Sequence, residues 1–151
     1  MWNLKFFAKF RGLVPLVLRL VLGFSFAFHH GLDKLTQGDL ADKVGPWDWG
    51  AEWITNASGM ASTPLLYLAA YTEFFAGVGL FVGFLTRWSA VGICCVMGYA
   101  ILKVHGLEIY GPPKGYEFAL AYFAAAACVL FLGPGRFSLD RMVFGKEAVS
   151  E

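Results

Sequence analysis

The chain has 151 residues, of which 58% are hydrophobic and 15% charged, and its formal net charge is +1. A soluble domain carries about 25% charged residues. The deficit here is concentrated in long apolar stretches, which excludes an ordinary soluble domain, and the near-zero net charge excludes an electrostatic nucleic-acid binder.

A membrane-spanning helix needs roughly 20 mostly apolar residues. Four spans and their connections nearly fill the chain and leave no room for a separate soluble catalytic domain. The expected architecture is therefore all-α: one domain over residues 1–151, folded as an integral membrane four-helix bundle. The spans fall at about 13–30, 65–85, 89–102 and 116–132. The basic residues Lys5, Lys9 and Arg11 before the first apolar run resemble the start of a signal peptide. The run continues into His29, His30 and Lys34 without a small-residue cleavage site, so it reads as a retained span.

The long outer loop between spans one and two covers residues 31–64, and a loop of that length usually has structure or function of its own. Trp47, Trp49 and Trp53 suit the headgroup layer, either as plain anchors or as a lid over a site. In span two, Gly79 and Gly83 form a G-x-x-x-G pattern that favours close helix packing. Ala124 to Ala127 provide a second small surface in span four. Cys94, Cys95 and Cys128 all fall within spans and form no C-x-x-C pair, so they read as apolar filler. The positive-inside rule orients the chain. Lys5, Lys9, Arg11, Arg87, Arg136, Arg141 and Lys146 share one side, and Lys34, Lys43, Lys103 and Lys114 share the other. Both termini are accordingly expected in the cytoplasm.

Ionisable residues inside spans need a partner or a water-filled cavity. Arg19 in span one and Glu73 in span two are expected to pair, either as a structural ion pair or as a proton-handling or quinone-headgroup site. Arg19, Phe26, His30 and Lys34 fall on one helical face. His30, Lys103, His105, Tyr116 and Glu117 are expected at the outer membrane level, where they can form a polar cup. Two histidines and a carboxylate are chemically suited to a metal. Only adjacent His29 and His30 are close in sequence, however, and neighbours on a helix point about 100° apart, so no metal site is assigned. The connection 104–116, with Pro112, Pro113 and Tyr110, is the best loop candidate for a functional surface.

Several of these residues recur as ordered motifs. Span one reads Arg19-x-x-x-Gly23-x-x-Phe26, then His30-Gly31-x-x-Lys34. Span two reads Glu73-x-x-x-Gly77-x-x-Leu80-x-x-Gly83-x-x-Thr86-Arg87. Span three leads to His105-Gly106, and span four opens on Glu117 and closes with Gly133-Pro134-Gly135 through Asp140. In this order and spacing they resemble the DoxX family of small four-span membrane proteins, from about residue 13 to 140. The resemblance implies association with redox enzymes. The family takes its name from a subunit associated with thiosulfate:quinone oxidoreductase, and other members are linked to oxidative-stress complexes, quinone detoxification or membrane-protein assembly. No haem, iron–sulfur or flavin attachment signal is present in the sequence.

The leading expectation is a subunit of the bacterial inner membrane that handles a quinone or a small reduced sulfur compound. Glu73, His30 and His105 would move protons, while Arg19, Lys103, Glu117 and Tyr116 would bind the substrate. The alternative is a non-catalytic anchor or assembly factor that holds a protein partner, or a second copy of itself, through its glycine-rich faces and outer loop. A transporter is disfavoured, because four spans show neither repeats nor broken helices.

Overall fold

The computed structural model describes residues 11–36, 62–104 and 116–145. All three stretches are helical apart from short turns, and no strand occurs among the described residues. The first helix, α1, runs Val14–Thr36. A 3₁₀ turn, Arg11–Leu13, leads into it, and Pro15 occupies the first turn, where a missing N–H is tolerated. Helix α2 is Ser62–Val82 and α3 is Thr86–Tyr99, which continues as a π-helical stretch, Ala100–Val104. Helix α4 is Glu117–Leu132, and a short α5, Leu139–Phe144, follows a glycine- and proline-containing turn.

Helices α2 and α3 meet at a tight turn, residues 83–85. By length and composition, α1 is the one helix among the described residues that suffices alone to cross a membrane; the other three apolar helices are shorter. The tryptophan-bearing part of the first loop, residues 37–61, and the connection 105–115 lie outside the described residues.

The four long helices pack side by side. Leu22 and Phe26 of α1, Ala76 and Leu80 of α2, Ala90, Ile93 and Met97 of α3, and Ala126 and Val129 of α4 meet in one buried cluster. Neighbours alternate in direction: Gly23 of α1 lies against Phe81 of α2, while Gly31, farther along α1, lies against Phe74. Outward positions are also apolar, among them Val17, Val21 and Phe24 on α1 and Leu68, Tyr71 and Phe75 on α2. A helix apolar on both its inner and outer sides has the composition of a membrane span.

Glycine makes the closest crossing possible. A Cβ on Gly77 would collide with the backbone of Phe26 and Ala27, and one on Gly23 would sit 2.7 Å from the Phe81 Cα. The seam between α1 and α2 is thus backbone against backbone, the arrangement that gains most van der Waals contact when lipid replaces water. The Gly79–Gly83 pattern does something else. Gly79 faces Ser89 and the Phe84 carbonyl across the turn, and Gly83 lies beyond the end of α2 with φ +76°. The pattern therefore builds the α2–α3 turn rather than a helix–helix seam.

The cysteines also differ from expectation. Cys95 and Cys128 are exposed on the outside, and only Cys94 is partly covered, its thiol facing the Phe123 carbonyl at 3.9 Å. Ala126 is buried, but Ala124 is exposed.

Candidate functional site

Polar side chains gather at the two opposite ends of the helices, and the two groups are built differently. At one end stands Arg19, 1% exposed. Its Nε donates to the Leu80 carbonyl at 3.2 Å, Nη2 to the Phe137 carbonyl at 2.7 Å, and Nη1 to the Pro134 carbonyl. Leu80 belongs to the last turn of α2, where its carbonyl also accepts from the Gly83 N–H at 3.2 Å and a cation is favoured by the helix dipole. Pro134 and Phe137 lie in non-helical backbone, whose carbonyls need donors wherever water is excluded. Gly83 leaves the space for this: a Cβ there would lie 2.7 Å from the guanidinium carbon.

Asp140 complements Arg19 from the other side. Its carboxylate accepts from the N–H groups of Leu85 and Thr86 at 2.6 and 2.8 Å, and its own N–H donates to the Gly83 carbonyl at 2.9 Å. Leu85 carries the left-handed conformation, φ 48°, directly before α3. Asp140 therefore caps α3 from a distant part of the chain, placing an anion at the positive end of that helix. Ser138 in turn caps α5 by accepting from the Arg141 N–H at 3.2 Å.

The expected Arg19–Glu73 pair does not form. Glu73 precedes Leu80 by seven residues, roughly 10 Å along the axis, and lies near the middle of α2, toward the end away from Arg19. Its partner is Lys34, with Nζ 2.6 Å from Oε2. Glu73 is 3% exposed and Lys34 43%, so the lysine reaches in from the rim to a buried carboxylate. Arg19 had enough carbonyls of its own, and the sequence did not show that the chain beyond α4 folds back over it.

Beside this pair, Ser25–Leu32 of α1 is π-helical. Such stretches are uncommon and recur at functional sites. The stretch presents His30 and Phe26, whose rings lie 5.3 Å apart, and both meet Tyr122 of α4 edge-on, at 5.8 and 5.2 Å. The Tyr122 hydroxyl lies 3.1 Å from Ser25 Oγ. His30 is half-buried and within electrostatic reach of both Glu73 and Lys34. The second π-helical stretch, Ala100–Val104, falls at this same end, because α1 and α3 run in the same direction.

Of the residues singled out from sequence, the structure thus brings together His30, Glu73 and Lys34, and leaves Arg19 apart. Tyr116 is half-buried just before α4, and Glu117 is exposed in its first turn. Lys103 lies in the π-helical end of α3, and the position of its side chain is outside the described residues, as is His105 altogether. Among the described residues, no cluster of histidine, cysteine and carboxylate has the makings of a metal site. Sequence reasoning missed Tyr122, Ser25 and the capping role of Asp140. Tyr122 did carry a signal, since a phenol in an alanine-rich apolar helix requires a hydrogen-bond partner.

The model of the DoxX family matches residues 14–106, more than half of the chain. The chain belongs to the DoxX family. It is a DoxX-like membrane protein, and the matched segment carries Arg19, His30, Lys34, Glu73 and His105. Tyr122 and Asp140 lie beyond the matched part. No curated protein and no solved structure matches the chain.

Proposed function

We propose that this DoxX protein is a four-span subunit of the bacterial inner membrane whose Glu73 end binds a quinone or a small reduced sulfur compound. The observation that carries the reading is the Lys34–Glu73 pair beside His30 and Tyr122 on a π-helical stretch. A structural ion pair alone would need neither the histidine nor the irregular helix.

In this reading Lys34, Tyr122 and Ser25 offer donors to a carbonyl or anionic oxygen, and Phe26 provides an apolar ring wall. Glu73 and His30 move protons between the buried position and the rim, and His105, Lys103, Tyr116 and Glu117 are assigned to the same ligand. Arg19, engaged with three carbonyls, holds the fold. Reducing a quinone to a quinol takes two electrons and two protons. The protons pass through these side chains, and the electrons come from the reduced sulfur compound or a redox partner protein. The four helices form a bundle that spans the bilayer, with residues 1–151 as one domain. The end bearing Arg87, Arg136 and Arg141 faces the cytoplasm together with both termini.

Mass spectrometry of the gently purified protein tests this. Co-extracted quinone is expected in the wild type and lost in Glu73→Gln and Tyr122→Phe, both of which should stay folded. A stoichiometric protein partner without any small molecule would instead favour an anchoring or assembly role. The glycines speak against the version of that role that relies on glycine faces, because Gly23 and Gly77 are occupied inside the chain.

A further inference from the structure

The Arg19 end carries a surface that neither the Arg19 clamp on the Leu80, Pro134 and Phe137 carbonyls nor the proposed ligand site uses. Trp88 at the start of α3, Phe131 at the end of α4 and Met142 on α5 are 74%, 81% and 80% exposed. Arg87, Arg136 and Arg141 stand among them. The only described acid at this end is Asp140, and both of its carboxylate oxygens are bound to backbone N–H groups. The surface is therefore basic as well as apolar, with no described counter-charge available.

Its parts are held in place. The stem of Arg136 lies against Gly12, at 3.2 Å from where a Cβ would stand, and the Arg87 guanidinium lies over Gly133 at 3.6 Å by the same measure. The Asp140 N–H bond to Gly83 and the carboxylate bonds to Leu85 and Thr86 tie α5 across the α2–α3 turn. With Asp140 turned inward, Met142 points out. The apolar groups continue the outward apolar sides of the long helices, and the arginines occur only where those helices end. That sequence, from apolar flank to cationic rim, matches the order of acyl chain and phosphate in a phospholipid leaflet.

We propose that this end is a binding surface for anionic phospholipid. Arg87, Arg136 and Arg141 contact the headgroup phosphates, while Trp88, Phe131 and Met142 sit among the first acyl carbons. The inference rests on the four-span reading, which puts this end at a membrane face. It is independent of what the Glu73 end binds.

The test is lipid retention by the full chain in mild detergent, titrated with phosphatidylglycerol or with phosphatidylcholine of the same chains and read by native mass spectrometry. Phosphatidylglycerol should be preferred. Each arginine replaced, Arg136→Gln or Arg141→Gln, should weaken its retention by about fivefold, and Arg136→Lys should keep most of it. The triple variant with Arg87→Gln should hold both lipids equally; if it does not fold, the two single variants carry the test. The preference should also fall as salt rises. Equal retention by the wild type, or a preference undiminished in the single variants, overturns the proposal. So does a preference abolished by millimolar inorganic phosphate, which would mark a phosphate site, or an acidic protein retained in place of lipid. Failure of the four-span reading looks different: the chain would remain soluble without detergent and hold no lipid.

Discussion

The two ends of this helix array handle buried charge in opposite ways. At the Arg19 end, both charged groups are bound to backbone: the guanidinium to three carbonyls and the Asp140 carboxylate to two N–H groups. At the Glu73 end, charge meets charge, one partner is at the rim, and the helix beside it departs from α geometry. In the proposed reading, the difference separates a structural role from a ligand site. Backbone groups cannot leave, so a charge bound to them is fixed; a half-exposed lysine can exchange its partner for a ligand.

Breaking the fixed end should therefore have the larger effect on stability. Arg19→Met takes the donor from the Pro134 and Phe137 carbonyls where no water replaces it, while the Leu80 carbonyl keeps the Gly83 N–H, and should destabilise by about 3 kcal/mol. A large fall in the melting temperature in detergent checks this, and a melting temperature close to wild type would sink the clamp. Asp140→Ala uncovers the first N–H groups of α3 and should cost about 1–2 kcal/mol by the same measurement. Because Asp140 is also within electrostatic reach of Arg19, the Arg19→Met, Asp140→Ala double variant should lose less than the sum of the two.

The exchangeable end should respond least. Lys34 is too exposed for its pair to add more than about 1 kcal/mol, so Glu73→Gln, which removes the buried charge with the pair, should melt within a few degrees of wild type while losing the ligand. A strong destabilisation by Glu73→Gln would instead assign that pair to the fold, and the contrast between the ends would collapse.

The all-helical character was legible because long apolar runs without strand-like alternation are a strong signal. The four segments read from sequence agree with the long helices to within a few residues at most ends. The end of the second falls three residues late in the sequence, because Gly83 reads there as part of a packing pattern; it supplies the φ +76° that ends α2. The site was only partly legible. His30 and Lys34 share a helical face, and that much survived. The partner of Arg19 did not, since backbone carbonyls bear no residue-type signature and Pro134 and Phe137 lie more than a hundred residues away. Nor did the π-helical stretch, because the periodicity that identifies an α-helix assumes regular winding. Asp140 stood in plain view within the last family-like motif, but its task depends on a turn more than fifty residues earlier.

The π-helical stretch also bears on how this chain tolerates changes in length. A wider turn accommodates an extra residue, as an insertion would leave it, without breaking the helix on either side. Removing one residue from Ser25–Leu32 would let regular winding resume, but everything beyond would rotate by about 100°. Lys34 would then swing away from Glu73, while the Gly23 contact and Arg19, which precede the stretch, would keep their places. In this helix the half that holds the fold and the half that presents the lysine are separable by a single deletion.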